Sequence, residues 1–180
     1  VYAESSTIYA DNTRMSYNGE SGYYMNQGSY GNIRYGNSYY NGFGSGGGAA
    51  SEWTQSGFAN ADDSTSKVSG SHSYYGFANG FYAINRSHIH HGAGTADNNQ
   101  RNAFKAAYDS TLILSADTYA GTADGVSGAP GGEYGTPGAG ATFAYGVYAR
   151  SDSKAFVNTI TQTVGGHSAD AGTNGVIRAY

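Results

Sequence analysis

Cysteine is absent from this 180-residue chain, and proline occurs only twice. Without thiols the protein has no disulfide, no thiolate nucleophile and no cysteine-ligated zinc. Charged residues make up 12% of the chain, and the formal net charge is −4. Because these charges form no block of one sign, the sequence predicts neither nucleic acid nor an anionic membrane surface as a partner. No run of residues is long and apolar enough to predict a membrane-spanning helix.

Glycine and tyrosine are abundant instead, with 29 and 18 residues. Tyrosine offers a large apolar area and a hydroxyl group at a small entropic cost. Sparse charge also weakens the repulsion that keeps copies of a protein apart. This composition therefore favours contacts between copies. The length fits one domain with an additional arm.

Residues 1–48 hold half of the tyrosines, separated mainly by Gly, Asn and Ser. Short β-type stretches interrupted by glycine predict an extended arm with tight turns, ending in a glycine-rich hinge at residues 42–48. Such an arm is suited to pairing with an exposed sheet edge of a neighbouring copy. The residues that we expect at this contact between copies are Tyr2, Ile8, Tyr9, Tyr17, Tyr23, Tyr24, Tyr30, Tyr35, Tyr39 and Tyr40.

Residues 49–180 carry longer strand patterns, some of which alternate, and predict an all-β domain of the β-sandwich or jelly-roll type. Residues 97–107 also fit a short helix, with Asp97 as its N-cap, so helix and strand both remain open there. Residues 121–140 hold both prolines and many glycines, which predicts a long loop and a second possible contact between copies. The motif at Gly57–Asn60 recurs at Gly76–Asn79, but no repeat at a fixed period is evident, and no solenoid is predicted.

No motif of an enzyme or of a cofactor site is convincing. The glycines from Gly42 to Gly47 match G-x-G-x-x-G, but no buried strand precedes them and no long helix follows, as a dinucleotide site requires. A serine-hydrolase elbow and a zinc-protease helix are both missing. The sequence therefore predicts a non-enzymatic protein without a cofactor.

The histidines of the sequence His-Ile-His-His are weak candidates for a metal site. On a strand, His88 and His90 share one face, and a third ligand would come from His72 or Asp97. The simpler interpretation is polar strand residues that face solvent or another subunit. No metal is therefore predicted.

Asn85 begins the formal N-glycosylation sequence Asn85-Arg86-Ser87, which falls within a strand candidate. The chain begins at Val1 without an initiator methionine, which we interpret as a processed, secreted form. We expect an extracellular or cell-surface location, with a virion as the alternative.

These observations predict a structural subunit of an extracellular filament, fibre or sheath, built from copies held by donated N-terminal strands. A capsid, decoration or tail-fibre protein of a virion is one alternative. A secreted carbohydrate-binding module is another, because aromatic faces stack on sugar rings and asparagine amides bind hydroxyls.

Overall fold

A computed structural model describes residues 1–41, 55–76, 78–97, 99, 102–120, 145–162, 167–172 and 174–179. Strands and turns make up these residues, and no helix occurs among them, which confirms the all-β prediction. The strands are β1 (Tyr2–Glu4), β2 (Thr7–Asp11), β3 (Arg14–Ser16), β4 (Tyr23–Asn26), β5 (Tyr30–Arg34), β6 (Asn37–Tyr39), β7 (Phe58–Asn60), β8 (Thr65–Ser69), β9 (His72–Tyr74), β10 (Phe81–Ile84), β11 (His88–Gly92), β12 (Thr95–Asp97), β13 (Phe104–Ala107), β14 (Thr111–Ala120), β15 (Tyr145–Arg150), β16 (Lys154–Gln162), β17 (His167–Ala171) and β18 (Val176–Ala179).

All pairings between these strands are parallel. The chain winds in a coil, and each strand pairs with the strand at the same position in the next turn of that coil. In the described part of the chain, the first sheet has seven strands in the order β1-β4-β7-β10-β13-β15-β17. The middle sheet stacks β2, β5, β8, β11, β14, β16 and β18, and the third stacks β3, β6, β9 and β12. The second half of β14 continues the third sheet by pairing with β12, so the middle and third sheets are joined.

We call one complete turn of the coil, such as β1–β2–β3, a rung. Ser64, Ser87 and Ser110 occupy the same position in successive rungs and lie 23 residues apart. Two steps are longer, at 35 and 43 residues, and contain residues 42–54 and 121–144, which lie outside the described part of the chain. Parallel stacking of repeated coils is the arrangement of a β-solenoid.

Residues in the left-handed conformation bend the chain at the corners of each rung. The corner after the first strand uses pairs such as Asp62-Asp63, with φ of 49° and 63°, and the next rung repeats it at Asn85-Arg86. Asn and Asp tolerate this conformation better than other residues that carry a Cβ atom. The second and third corners use single residues, which are Asn12, Tyr35, Gly70 and Ala93 at the second and Tyr17, Tyr40 and Tyr75 at the third.

The core is a column inside the coil. Stacked aromatic rings line it from the first sheet, with centroids 4.4 Å apart for Tyr23 and Phe58, 4.6 Å for Phe58 and Phe81, and 5.3 Å for Phe81 and Phe104. Apolar residues of the middle sheet, including Ile33 and Leu112, pack against this column. Each ring is covered by its neighbours in adjacent rungs, so the core forms only when rungs stack.

A ladder of serines runs beside this core at the start of the middle sheet. The hydroxyl oxygen of each serine accepts a hydrogen bond from the backbone N–H of the serine one rung earlier, at 3.0–3.2 Å from Ser6 to Ser153. Ser64 and Ser87 are fully buried. The ladder therefore satisfies backbone donors at a corner where the strands have just begun.

The architecture differs from two expectations. Sandwiches and jelly rolls are built from antiparallel strands, whereas the described strands pair in parallel. Residues 1–41 are not an extended arm, since they form the first two rungs and continue into the sheets of residues 55–76. Of residues 97–107, Asp97 and Phe104–Ala107 lie in strands and not in the alternative helix.

The expectation of no solenoid was wrong, because the repeat of 23 residues was not recognised in the sequence. The recurrence of Gly57–Asn60 at Gly76–Asn79 does not mark the repeat, because Phe58 pairs with Phe81. The hinge at residues 42–48 and the loop at residues 121–140 lie outside the described residues.

Candidate assembly surface

The residues predicted to contact other copies separate into three groups in the structure. Four tyrosines are well exposed, at 56% for Tyr2, 76% for Tyr9, 60% for Tyr17 and 56% for Tyr35. The half-buried group consists of Ile8, Tyr30, Tyr39 and Tyr40. Tyr23 and Tyr24 are buried, at 1% and 7% exposure.

Tyr23 is part of the inner aromatic column and is not available to a partner. Its hydroxyl lies 2.7 Å from Oγ1 of Thr13, and burial raises the pKa of the phenol. The neighbouring Tyr24 points to the opposite side of the strand, where it is also buried and contacts Tyr2 with ring centroids 5.3 Å apart. Burial is likewise the main cause of the raised pKa of Tyr24.

Five tyrosines at and beside the third corner form what we call the tyrosine ridge, which comprises Tyr17, Tyr39, Tyr40, Tyr74 and Tyr75. Their rings stack along the solenoid axis in two columns. Backbone hydrogen bonds from Tyr17 N–H to the carbonyl of Tyr39 and from Tyr40 N–H to that of Tyr74 fix the register, at 3.0 and 3.1 Å. The guanidinium of Arg14 lies 4.7 Å from the ring centroid of Tyr39.

The outer face of the middle sheet is a second exposed surface. Its side chains follow the alternation of each strand, with one set inside and the other set in solvent. Tyr9 is 76% exposed there, and Ile113 is 40% exposed. The further exposed residues of this face are Thr7, Asp11, Arg34, Lys67, Ser69, His88, His90, Lys154, Asn158, Val176 and Arg178.

At the first corner, a charged pair joins two adjacent rungs. The guanidinium of Arg86 binds both carboxylate oxygens of Asp63, each at 2.8 Å, and holds the pKa of that carboxyl below its usual range. Both side chains are well exposed, so the pair contributes little to stability. Arg86 also lines a shallow groove of about 310 Å³ at the first corner, together with Asn85, Tyr108, Asp109, Ser151 and Asp152.

His88 and His90 share the outer face of β11, as alternation predicts, and both are exposed. Lys67 lies on the neighbouring strand β8, opposite His90 in the register. His72 lies on β9 in the third sheet, where burial and the charge of His91 lower its pKa. Within the described part of the chain, no three His, Asp or Glu side chains meet as metal ligands.

Asn85 lies in the first corner of its rung, between β10 and β11, and not in a strand. Its amide donates a hydrogen bond to Oδ1 of Asp62 at 2.8 Å. The hydroxyl of Ser87, the third residue of the glycosylation sequence, is buried in the serine ladder.

The stacking of the ridge also bears on sugar binding. A sugar ring docks on the open face of an aromatic ring, and in the ridge the inner faces are covered by neighbouring tyrosines. Tyr9 and Tyr35, which stack on no described ring, are better placed for such a contact than Tyr23 or Tyr24.

Sequence reasoning missed Tyr74 and Tyr75, which complete the ridge from outside residues 1–48. A signal for them exists. Glycine followed by an aromatic residue begins three rungs, at Gly22-Tyr23, Gly57-Phe58 and Gly80-Phe81, and aligning the chain on these pairs brings Tyr39-Tyr40 onto Tyr74-Tyr75.

None of the described residues belongs to a helix that could cross a membrane. The chain matches no protein-family model, and no significant match was found among curated proteins or solved structures.

Proposed function

We propose that the protein is a non-enzymatic structural subunit of an extracellular filament, fibre or sheath, in which copies meet through outward-facing tyrosines. The observation that carries this proposal is the exposure of Tyr2, Tyr9, Tyr17 and Tyr35, all above one half, in a chain of which only 12% of the residues are charged. Large exposed aromatic rings are typical of surfaces that another molecule covers.

The contact that we propose is between surfaces of folded solenoids. Donation of an N-terminal strand is not favoured, because β1 to β6 already pair with strands of their own chain. The third corner repeats a tyrosine from rung to rung, at Tyr17, Tyr40 and Tyr75, whereas the position of Tyr9 holds Asn32 and Lys67 in the next two rungs. Tyrosines on several sides of the solenoid therefore meet neighbouring copies.

The energetics require several such rings. Removing a half-exposed tyrosine ring from water contributes about 1–2 kcal/mol, at about 25 cal/mol per Å² of apolar area. Association costs about 4–15 kcal/mol in lost rotational and translational freedom. One ring is therefore insufficient, and several exposed tyrosines of both partners must be covered together.

The test is the assembly state of the full chain, measured by light scattering and electron microscopy over a range of concentrations. We expect filaments or large oligomers, and a folded monomer when Tyr9, Tyr17 and Tyr35 are replaced together by Ser. The matched control replaces the exposed Ser69, Lys67 and Asn158 by Ala. A monodisperse full-length monomer at every concentration contradicts the proposal, and so does normal assembly of the tyrosine variant.

Carbohydrate binding is the second outcome to distinguish. A glycan array probed with the full chain, Tyr9→Ser and Tyr35→Ser identifies it directly. A glycan whose binding is lost in either variant, with no assembly of the full chain, favours a carbohydrate-binding module over the structural proposal.

A further inference from the structure

The tyrosine ridge holds phenol rings in pairs at contact distance. Ring centroids are 5.2 Å apart for Tyr17 and Tyr40, with planes inclined by 13°, and 4.9 Å apart for Tyr40 and Tyr75, with planes inclined by 8°. In the second column, Tyr39 and Tyr74 are 4.9 Å apart. The strand register of β3, β6 and β9 imposes these distances, so the pairs persist in the folded protein.

These pairs also combine contact with access to solvent. Tyr17 is 60% exposed, and the other four rings of the ridge are half-buried. By contrast, Tyr23 stacks on Phe58, which has no phenol, and is buried. Tyr9 and Tyr35 are exposed but stack on no described tyrosine.

We propose that the tyrosine ridge is a site of oxidative cross-linking, at which Tyr40 couples to Tyr75 or to Tyr17 to form dityrosine. The reaction needs an external one-electron oxidant, such as a peroxidase with hydrogen peroxide. Each phenol loses one electron and one proton to give a phenoxyl radical. The two radicals join through a new carbon–carbon bond between their ortho positions, and the hydrogens on those carbons move to oxygen to restore both phenols.

The coupling reaction balances in atoms and electrons. Two tyrosines lose two hydrogen atoms in total, and one hydrogen peroxide is reduced to two water molecules. Proximity favours this step, because a radical formed on one ring of the ridge already has a second phenol in contact. The rings must turn from a stacked to an edge-on arrangement, which partly exposed side chains achieve by rotation about their side-chain bonds.

The product would join successive rungs covalently. A bond between Tyr40 and Tyr75 ties rung two to rung three across the 35-residue step of the solenoid. This inference stands apart from the proposed self-assembly, since the bond forms within one chain.

The test uses dilute full-length protein treated with peroxidase and hydrogen peroxide. Trypsin separates the ridge into peptides 15–34, 35–67 and 68–86, which contain Tyr17, Tyr40 and Tyr75 respectively. We expect dityrosine fluorescence in the monomer band, and a linked pair of these peptides whose mass is lower by two hydrogen atoms. Tandem mass spectrometry locates the bond.

The variants Tyr40→Phe and Tyr35→Phe form a matched pair, because both retain the aromatic ring. Tyr40→Phe removes the phenol shared by both proposed pairs, so it should lower the total dityrosine yield within the monomer several-fold, as expected when preassembled pairs are lost. Tyr35→Phe should leave that yield unchanged. Cross-links spread evenly over the exposed tyrosines, cross-links found only between chains, or no effect of Tyr40→Phe would each overturn the inference.

Discussion

At the scale of single residues, the corners of the rungs carry much of the conformational cost of this fold. Among the residues that the structure describes, seventeen other than glycine have a positive φ, and they include tyrosines, serines and an alanine. The left-handed conformation costs an L-residue with a Cβ atom about 1–2 kcal/mol, and it costs Asn or Asp less. Stacking of each corner on the next must offset this cost.

Ala93 and Gly70 occupy the same corner in adjacent rungs and provide a matched test. Ala93 has a φ of 56° and Gly70 has the same value. We expect Ala93→Gly to raise the free energy of unfolding by about 0.5–1 kcal/mol, because glycine relieves the left-handed strain. Gly70→Ala should lower it, since its new Cβ would lie 2.7 Å from the ring of Tyr35. Urea denaturation measures both changes, and a gain in both variants would contradict this account.

Buried phenols predict how stability depends on alkaline pH. Burial raises the pKa of Tyr24 and Tyr82 above their ordinary value of 10.0. The folded protein therefore keeps these protons at a pH where the unfolded chain releases them, and stability falls as the pH rises above about 10. Chemical denaturation between pH 8 and 12 should show this loss, and Tyr82→Phe should make it less steep. An equal slope in both proteins would contradict the role of Tyr82.

At the scale of elements, ladders that run from rung to rung fix the register of the strands. The serine ladder pairs a side chain with the backbone of a neighbouring strand, so it specifies which rung stacks on which. The aromatic column stacks buried rings along the same direction. Neither device acts within a single rung.

Ser110→Ala tests the ladder. The hydroxyl of Ser110 accepts a hydrogen bond from Ser87 N–H at 3.1 Å, and Ser110 is 1% exposed. Leaving that buried donor without its acceptor should cost about 1–3 kcal/mol of stability. Ser69→Ala, on the exposed face of β8, is the control and should change stability by less than about 0.5 kcal/mol. Similar effects of the two changes would mean that the ladder contributes nothing specific.

Phe81→Ala tests the aromatic column. Phe81 is fully buried between Phe58 and Phe104, and the ring centroids of Phe81 and His91 are 4.0 Å apart. We expect a loss of about 3–5 kcal/mol, because the cavity spans the contact between three rungs. Phe81→Leu keeps most of the volume and should cost less. Thermal unfolding followed by circular dichroism measures both variants, and unchanged stability of Phe81→Ala would refute the column as the core.

At the scale of the whole molecule, the repeat predicts that a complete rung can be removed. Deleting residues 58–80 takes out one 23-residue period and brings Tyr23 and Ser29 against Phe81 and Ser87. The shortened protein should fold, with a smaller denaturant dependence of unfolding because less surface is exposed. Deleting residues 58–69 removes half a rung and should prevent folding. Equal behaviour of the two deletions would contradict the solenoid register.

The sequence by itself determined the all-β character. Glycine, β-branched and aromatic residues act on the local backbone, so their effect is visible in any short window. Alternation also placed His88 and His90 on one face correctly, because side chains of a strand alternate whatever it pairs with.

Only the tertiary structure decided that the strands are parallel, that residues 1–41 form rungs, and which tyrosines face solvent. These properties depend on pairing across 23, 35 or 43 residues, and the two longer steps hide the period from inspection of the chain. Tyr23, Tyr24 and Tyr40 look alike in sequence, yet one enters the core, one is covered on the outer side of its sheet, and one joins the ridge. The surroundings of these three side chains differ because the neighbouring rungs determine burial. The local sequence does not specify which rung becomes the neighbour.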